Sequence, residues 1–299
     1  MNSKMLNNYN LCGKNNLFFK GKRLLCLFLC IVVLFNAGSV QLRSENLSSL
    51  LFKPLEANVL ESRVGALYEI NDEKLRLDIG HSLDIYRFNS SDTNIQNSIG
   101  ADFFILSRLR SVGRMKFPVE TADYFFGVNW CSKFSLWDTK LSSRLRAAHI
   151  SSHLIDGYTN DENEFIQEPF VYSREFLDLV LAYDDFKYIR PYIGATYIFS
   201  TLPKDIKTVF LQTGFDFDYN VYKKLYISGG YDFKLIGNQN NNNDIINVGC
   251  NALQMGIKCY MYNSTALSLM YYYYSGYSVH GMFYNQKDNY HGLGFQITY

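Results

Sequence analysis

Three residues of the sequence, His149, Ser151 and Glu175, have the types and spacing that nucleophilic catalysis uses. His149 and Ser151 are two positions apart, so in an extended strand they lie on the same face. If the hairpin that follows is symmetric about residue 162, Glu175 lies opposite His149 on the neighbouring strand. A carboxylate that orients an imidazole, with a hydroxyl beside it, can activate serine for acyl transfer. The sequence therefore indicates a candidate catalytic group of Ser151, His149 and Glu175.

Around this group, apolar and charged residues alternate along the chain, as they do in a strand that has one face in lipid. Leu145 and Ala147 share the face of His149, whereas Arg144 and Arg146 occupy the opposite face. An arginine that faces lipid costs roughly 2–4 kcal/mol at the bilayer midplane, so arginines are expected inside a barrel. This assignment places the candidate group on the membrane-facing side, near the outer end of its strand.

The same alternation runs from residue 61 to the last residue and predicts about twelve strands. The first two begin near Val64 and Leu75, and the others cover approximately 97–110, 121–134, 139–153, 170–184, 187–201, 206–219, 223–236, 245–262, 264–278 and 288–299. An apolar strand at an open sheet edge is prone to aggregate, and closure of the sheet removes that edge. We therefore predict an all-β fold, a closed antiparallel transmembrane β-barrel. Its longer linkers, chiefly 154–169, are expected outside the cell.

Residues 1–39 are predicted to form a secretory signal peptide. A basic segment precedes an apolar run over residues 24–35, and the small residues after that run favour cleavage before Val40. The run is short for a spanning helix, which needs about 20 residues, although an uncleaved anchor is the alternative. Residues 40–60 are predicted to be a periplasmic leader or plug, and residues 61–299 the barrel. The expected location is the bacterial outer membrane, after signal-peptide cleavage.

Charged residues on the faces opposite the apolar ones are predicted to line the lumen, where opposite charges can pair. They are Arg76, Asp78, Asp84, Asp102, Arg108, Arg144 and Arg146. The formal net charge is +1, which gives no strong attraction to nucleic acid, and no nucleic-acid partner is expected. The chain has no cysteine and histidine spacing typical of a metal site, so neither a metal nor a cofactor is predicted.

The triplet His149-Ile150-Ser151, with Glu175 on the next strand, resembles the active site of outer-membrane lipid A 3-O-deacylases. Those enzymes are smaller barrels and usually have Asn after the serine, where this chain has Ser152. The resemblance implies a hydrolase of lipid acyl chains whose site faces the membrane.

Two other resemblances concern the whole chain. Its last strand is similar to the C-terminal signal strand of bacterial outer-membrane barrels, which implies that the barrel-assembly machinery recognises Leu293, Phe295, Ile297 and Tyr299. The mature chain also resembles a family of bacterial proteins known only as a domain of unknown function. The segments that carry this resemblance are Pro54-Leu55-Glu56-Ala57, Glu61-Ser62-Arg63-Val64-Gly65, Arg144-Leu145-Arg146 and His149-Ile150-Ser151-Ser152-His153-Leu154. It implies an outer-membrane barrel without an assigned activity.

Three functions remain open at this point. The first is a pore-like or structural surface protein, and the second is a serine hydrolase that acts on acyl chains of lipid A or phospholipid. The third is an adhesive protein that acts through the acidic loop 154–169. Outer-membrane lipid and lipopolysaccharide are the expected partners. Polar residues near a barrel rim also meet lipid headgroups without any catalytic role, so the His149 group alone does not decide whether the protein is an enzyme.

Overall fold

A computed structural model describes residues 50–298, apart from 90–94, 114–115, 161, 240–243 and 263–264. The predicted signal peptide and Tyr299 lie outside these residues. The twelve strands are β1 (Val64–Glu69), β2 (Lys74–Asn89), β3 (Gln96–Arg110), β4 (Val119–Leu136), β5 (Thr139–Leu154), β6 (Tyr172–Tyr183), β7 (Ile189–Leu202), β8 (Val209–Tyr222), β9 (Leu225–Gln239), β10 (Ile245–Tyr262), β11 (Thr265–Tyr277) and β12 (Lys287–Thr298). A 3₁₀ turn, Gly281–Phe283, lies between β11 and β12.

The strands form one closed antiparallel barrel. Each strand pairs with its neighbours in the sequence, and β1 closes the sheet by pairing with β12 from Val64↔Ile297 to Glu69↔Gly292. Closure gives both terminal strands a partner on each side and so removes the open edge. The predicted fold class and strand number are confirmed.

The outer surface of the barrel is apolar. Leu179 on β6 is 52% exposed and Phe295 on β12 is 50% exposed, and neither is covered by another part of the described chain. The inward faces of the same strands carry Asp178 and Gln296, which are buried. Apolar side chains on the exposed face and polar ones inside are what a barrel surrounded by lipid requires. In the described part of the chain, no helix has the length and apolar character needed to cross a membrane.

Strand ends differ from the predicted ones by a few residues, and the largest shift is in β8. This strand covers Val209–Tyr222 rather than 206–219. Ile206 does not join it, because its side chain is buried and its backbone forms an isolated bridge with Asn238 on β9. The β7–β8 loop is folded back by this bridge, and β8 begins later.

Residues 50–63, termed here the interior segment, lie inside the barrel. Leu55 is completely buried, and Glu61 and Arg63 are nearly so. The segment hydrogen-bonds to inward side chains of seven strands around the wall: Asp84, Arg144, Arg190, Asp216, Lys234, Lys258 and Gln296. Only a segment within the lumen can reach strands on all sides at once. The division of the chain into a leader or plug of residues 40–60 and a barrel of residues 61–299 stays a prediction.

The loop between β11 and β12, residues 278–286, covers the interior at the end of the barrel that carries the long loops. Asp123 on β4 accepts hydrogen bonds from the Gly281 amide at 2.7 Å and pairs with Nδ1 of His280 at 2.7 Å. The Arg108 guanidinium lies 3.5 Å from the centre of the Phe283 ring. We call residues 278–286 the strap. Several of them are buried, and Phe283 is wholly inaccessible to solvent, so the strap is held in the mouth of the barrel.

Candidate functional site

His149 and Glu175 meet on the outer wall of the barrel. They are directly opposite residues of β5 and β6, which is the register expected from the sequence. His149 Nδ1 lies 3.0 Å from Glu175 Oε1. The two side chains are 41% and 32% exposed, so both are accessible from outside the barrel. Because Nδ1 faces the carboxylate, Nε2 is the ring nitrogen left to exchange a proton with a third group.

A tight turn sets the pairing register of β5, the strand that carries His149. Trp137 and Asp138 join β4 to β5 and both have positive φ, at 49° and 66°. A two-residue turn of this kind matches the natural twist of the paired strands, so it sets their register firmly. The resulting pairs place Phe126 beside His149 and Tyr124 beside Ser151.

Ser151 lies two positions nearer the loop end than His149, on the same outward face. It is the cross-strand partner of Ser173 on β6. Within the described residues, no hydrogen bond joins Ser151 and His149. Same-face neighbours along a strand are about 6.6 Å apart, a gap that an imidazole ring spans by rotating about its side-chain bonds. Hydrogen bonds of catalytic groups are often long in unliganded sites and shorten when substrate binds.

A second serine shares the carboxylate. Ser173 Oγ donates to Glu175 Oε1 at 2.9 Å, the same oxygen that faces His149. Ser200 on β7 is the cross-strand partner of Glu175, and a β-bulge follows immediately. Two serines and a histidine therefore surround Glu175 on the outer wall. The sequence pattern predicts no role for Ser173 or Ser200, although the register alone places Ser173 beside Ser151.

The site lies where the apolar wall meets the loops. Towards the membrane, Leu177 and Phe199 are exposed beside it. Towards the loops, a cleft of about 440 Å³ opens between the β5–β6 loop, the end of β7 and the strap. Its lining includes Val171, Leu202 and Tyr284, and Leu202 is the cross-strand partner of Ser173. The group therefore has an apolar surface on one side and a cleft on the other.

Tyr284 fixes one wall of this cleft. Its hydroxyl donates to Asp205 Oδ2 at 2.6 Å. Burial, together with the hydrogen bond to Asp205 and the charge of that carboxylate, raises the pKa of Tyr284 above its usual value. The hydroxyl thus stays protonated, and the contact ties the strap to the β7–β8 loop.

The predicted lumen residues all lie on inward faces and are buried: Arg76, Asp78, Asp84, Asp102, Arg108, Arg144 and Arg146. Several are ion-paired, such as Arg76 with Asp78 at 2.9 Å between Nε and Oδ1. Arg144 donates to both carboxylate oxygens of Glu61, at 2.8 and 2.5 Å. Asp84, Arg144 and Arg146 hydrogen-bond to the interior segment. Among the described residues, no group of three or more His, Cys, Asp or Glu side chains is placed to hold a metal ion.

Two interior contacts are not predicted by the sequence pattern. Glu61 belongs to the interior segment and pairs with Arg144, 83 positions later. His280 in the strap pairs with Asp123 on β4, 157 positions earlier. Alternation predicts that Arg144 and Asp123 point inward, but it does not say which distant loop reaches them.

Comparison with known proteins gives a family and a fold. Outer-membrane phospholipase A from Escherichia coli is 12% identical, with a TM-score of 0.50 over 85% of this chain and 96% of that chain. An active-site mutant of the same enzyme is 13% identical, with a TM-score of 0.51 over 84% of this chain and 93% of that chain. The outer-membrane protein OmpT of Vibrio cholerae, in its trimer form, is 8% identical, with a TM-score of 0.38 over 80% of this chain and 96% of that chain.

The similarity to the phospholipase supports the barrel fold alone. No curated protein sequence matches the chain. The family model described as "Protein of unknown function (DUF1207)" matches residues 29–299, which is nearly the whole chain. The chain therefore belongs to the DUF1207 family.

Proposed function

We propose that the protein is an outer-membrane serine hydrolase that cleaves acyl esters of membrane lipids. Ser151 is the nucleophile, His149 the general base and Glu175 the group that orients the imidazole. The apolar outer wall of a closed barrel supports this location, and the fold similarity to an outer-membrane phospholipase agrees with it. Cleavage of the signal peptide before Val40 belongs to this proposal.

The observation that carries the proposal is the contact between His149 Nδ1 and Glu175 Oε1 at 3.0 Å, on the outside of the barrel. A carboxylate in that position selects the tautomer with the proton on Nδ1 and leaves Nε2 basic. Ser151 follows two positions later on the same face. The arrangement opens toward lipid rather than toward the lumen, so it matches a substrate that lies in the membrane.

The reaction follows the acyl-transfer scheme. His149 Nε2 accepts the proton of Ser151 as Oγ attacks the ester carbonyl carbon. The C–O bond to the lipid alcohol then breaks, and His149 returns the proton to the departing alkoxide. A water molecule, deprotonated by His149, attacks the acyl-serine, which releases a free fatty acid and restores Ser151. The Glu175 carboxylate stays ionised and stabilises the imidazolium at each stage.

The surroundings of Ser151 match the two parts of a lipid. The acyl chain has an apolar path down the wall past the exposed Leu177 and Leu179. The headgroup side of the ester faces the cleft of about 440 Å³, where Gln167 and Tyr284 supply polar groups. Both lipid A and phospholipid carry an ester at this junction of apolar and polar parts, so both belong to the proposed substrate class.

Release of fatty acid tests the proposal. The purified chain in mixed micelles, and separately cells that express it, are assayed by mass spectrometry for free fatty acid and for deacylated phospholipid and lipid A. Ser151→Ala is expected to abolish release. Ser143→Ala is the matched control, because Ser143 lies on the outward face of β5 opposite Leu181 and away from Glu175. If Ser151→Ala retains wild-type release, Ser151 is not the nucleophile.

A pore-like role is the second candidate, favoured by a cavity of about 840 Å³ in the mouth opposite the long loops. The interior segment and the strap fill the described lumen beyond this cavity, so ion flow requires them to move. Deletion of residues 50–60 is expected to raise single-channel conductance in planar bilayers above that of the full chain. If neither chain conducts ions, the pore-like role is excluded.

A further inference from the structure

The cavity of about 840 Å³ lies within the barrel mouth on the side of the short turns, and we call it the vestibule. The interior segment forms its inner end, and its walls are the inward faces of the strand ends. Its size falls within the range of pockets that hold small molecules, which is about 300–1,000 Å³. The vestibule is separate from the His149 site, which lies on the outer wall and toward the other end of β5.

One half of the vestibule wall carries cations without matching acids. Lys53 from the interior segment, Lys133 from β4 and Lys140 from β5 all line the cavity. In the part of the chain that the structure describes, none of these ammonium groups forms a salt bridge. Elsewhere in the same cavity the charges are matched, as with Lys258 Nζ and Glu56 Oε1 at 2.6 Å.

Lys133 is the centre of this unmatched charge. Its side chain is half-buried on an inward face, where Asp184 is a favourable neighbour and Lys53, Arg87 and Arg190 are unfavourable ones. Asp184 already accepts a hydrogen bond from Arg190 Nε at 3.1 Å. Like charges around one cavity repel one another, and the arrangement gains free energy when an anion is bound among them.

Arg190 is a further lining residue of the same wall. Its Nε and Nη1 atoms bond to Asp184, Asp216 and the Lys53 carbonyl. These bonds engage both carboxylates with Arg190, so Asp184 and Asp216 do not neutralise the three lysines.

We propose that the vestibule binds a small solute that carries at least two phosphate charges. Lysine ammonium groups act as point charges toward phosphate. Lys53, Lys133 and Lys140 neutralise the anion. The site is independent of the hydrolase proposed above, because it uses none of the residues on the outer wall.

Calorimetric titration of the purified full chain in nonionic detergent with inorganic pyrophosphate tests this site. We expect saturable binding that weakens at least fivefold in Lys133→Gln and in Lys140→Gln. Lys223→Gln is the matched control, because Lys223 lies in the β8–β9 turn at the same end of the barrel and does not line the cavity. Its affinity is expected to equal that of the wild type. Lys140 is exposed, so its substitution tests the site even if Lys133→Gln does not fold.

Two results would overturn the proposal. One is the absence of saturable pyrophosphate binding to the wild-type chain. The other is an equal loss of affinity in Lys133→Gln, Lys140→Gln and Lys223→Gln, which would show a general effect of net charge. Citrate, a carboxylate anion of similar charge, is titrated in parallel. Tighter binding of citrate than of pyrophosphate would refute the assignment to phosphate.

Discussion

Replacement of Glu175 by Gln removes the negative charge beside His149 and keeps the size of the side chain. At the observed separation of 3.0 Å, a full charge pair is worth about 1.4 kcal/mol in water and about 5.5 kcal/mol at an effective dielectric constant of 20. His149 is 41% exposed, so solvent screens the pair strongly and the lower part of that range applies. A loss of about 1.4–2.7 kcal/mol of transition-state stabilisation lowers kcat by roughly 10–100-fold.

The assay is fatty-acid release from mixed micelles at saturating and at low lipid concentration, which separates kcat from KM. The charge of Glu175 acts on the imidazolium that forms during the reaction, so kcat is expected to fall while KM changes little. Glu168→Gln is the control, because Glu168 is exposed in the β5–β6 loop and carries the same charge. If Glu175→Gln keeps the wild-type kcat, the carboxylate does not support the base, and the proposed roles are wrong.

Three further predictions concern the barrel itself. Arg144→Ala leaves Glu61 buried without its bidentate partner, and we expect a loss of roughly 3–5 kcal/mol in the free energy of unfolding, measured by urea titration of tryptophan fluorescence. Leu179→Arg places a charge on the lipid-facing wall and is expected to cost roughly 2–4 kcal/mol of stability in lipid vesicles; unchanged stability would mean that this face does not meet lipid. N-terminal sequencing of the protein from outer membranes is expected to begin at Val40, and a chain that begins at Met1 would contradict signal-peptide cleavage.

The outer wall was the most predictable part of the molecule. Arg144 and Arg146 must avoid lipid, and their position alone places His149 and Ser151 on the outward face. The register that brings Glu175 opposite His149 follows from a symmetric hairpin, and the structure has that register. Short-range rules were sufficient here, because alternation and turn position are properties of neighbouring residues.

The interior was less predictable, because its contacts join residues far apart in the sequence. The salt bridge between Glu61 and Arg144 depends on how the interior segment crosses the lumen, and alternation carries no information on that path. The late start of β8 has a similar origin, since Ile206 is held against Asn238 by a loop contact. The bond from Ser173 to Glu175 was not predicted for another reason: alternation places both residues on one strand face, but it does not say which hydroxyl the carboxylate accepts from.

The most direct test of the account is covalent labelling of the intact protein in detergent with a long-chain alkyl fluorophosphonate, followed by mass spectrometry of the peptides. The reagent captures a serine only when a neighbouring base activates it. We expect a single adduct on Ser151, and we expect this adduct to disappear in His149→Ala. An unlabelled Ser151, or labelling that is unaffected by loss of His149, would contradict the claim that the outer wall carries an activated serine.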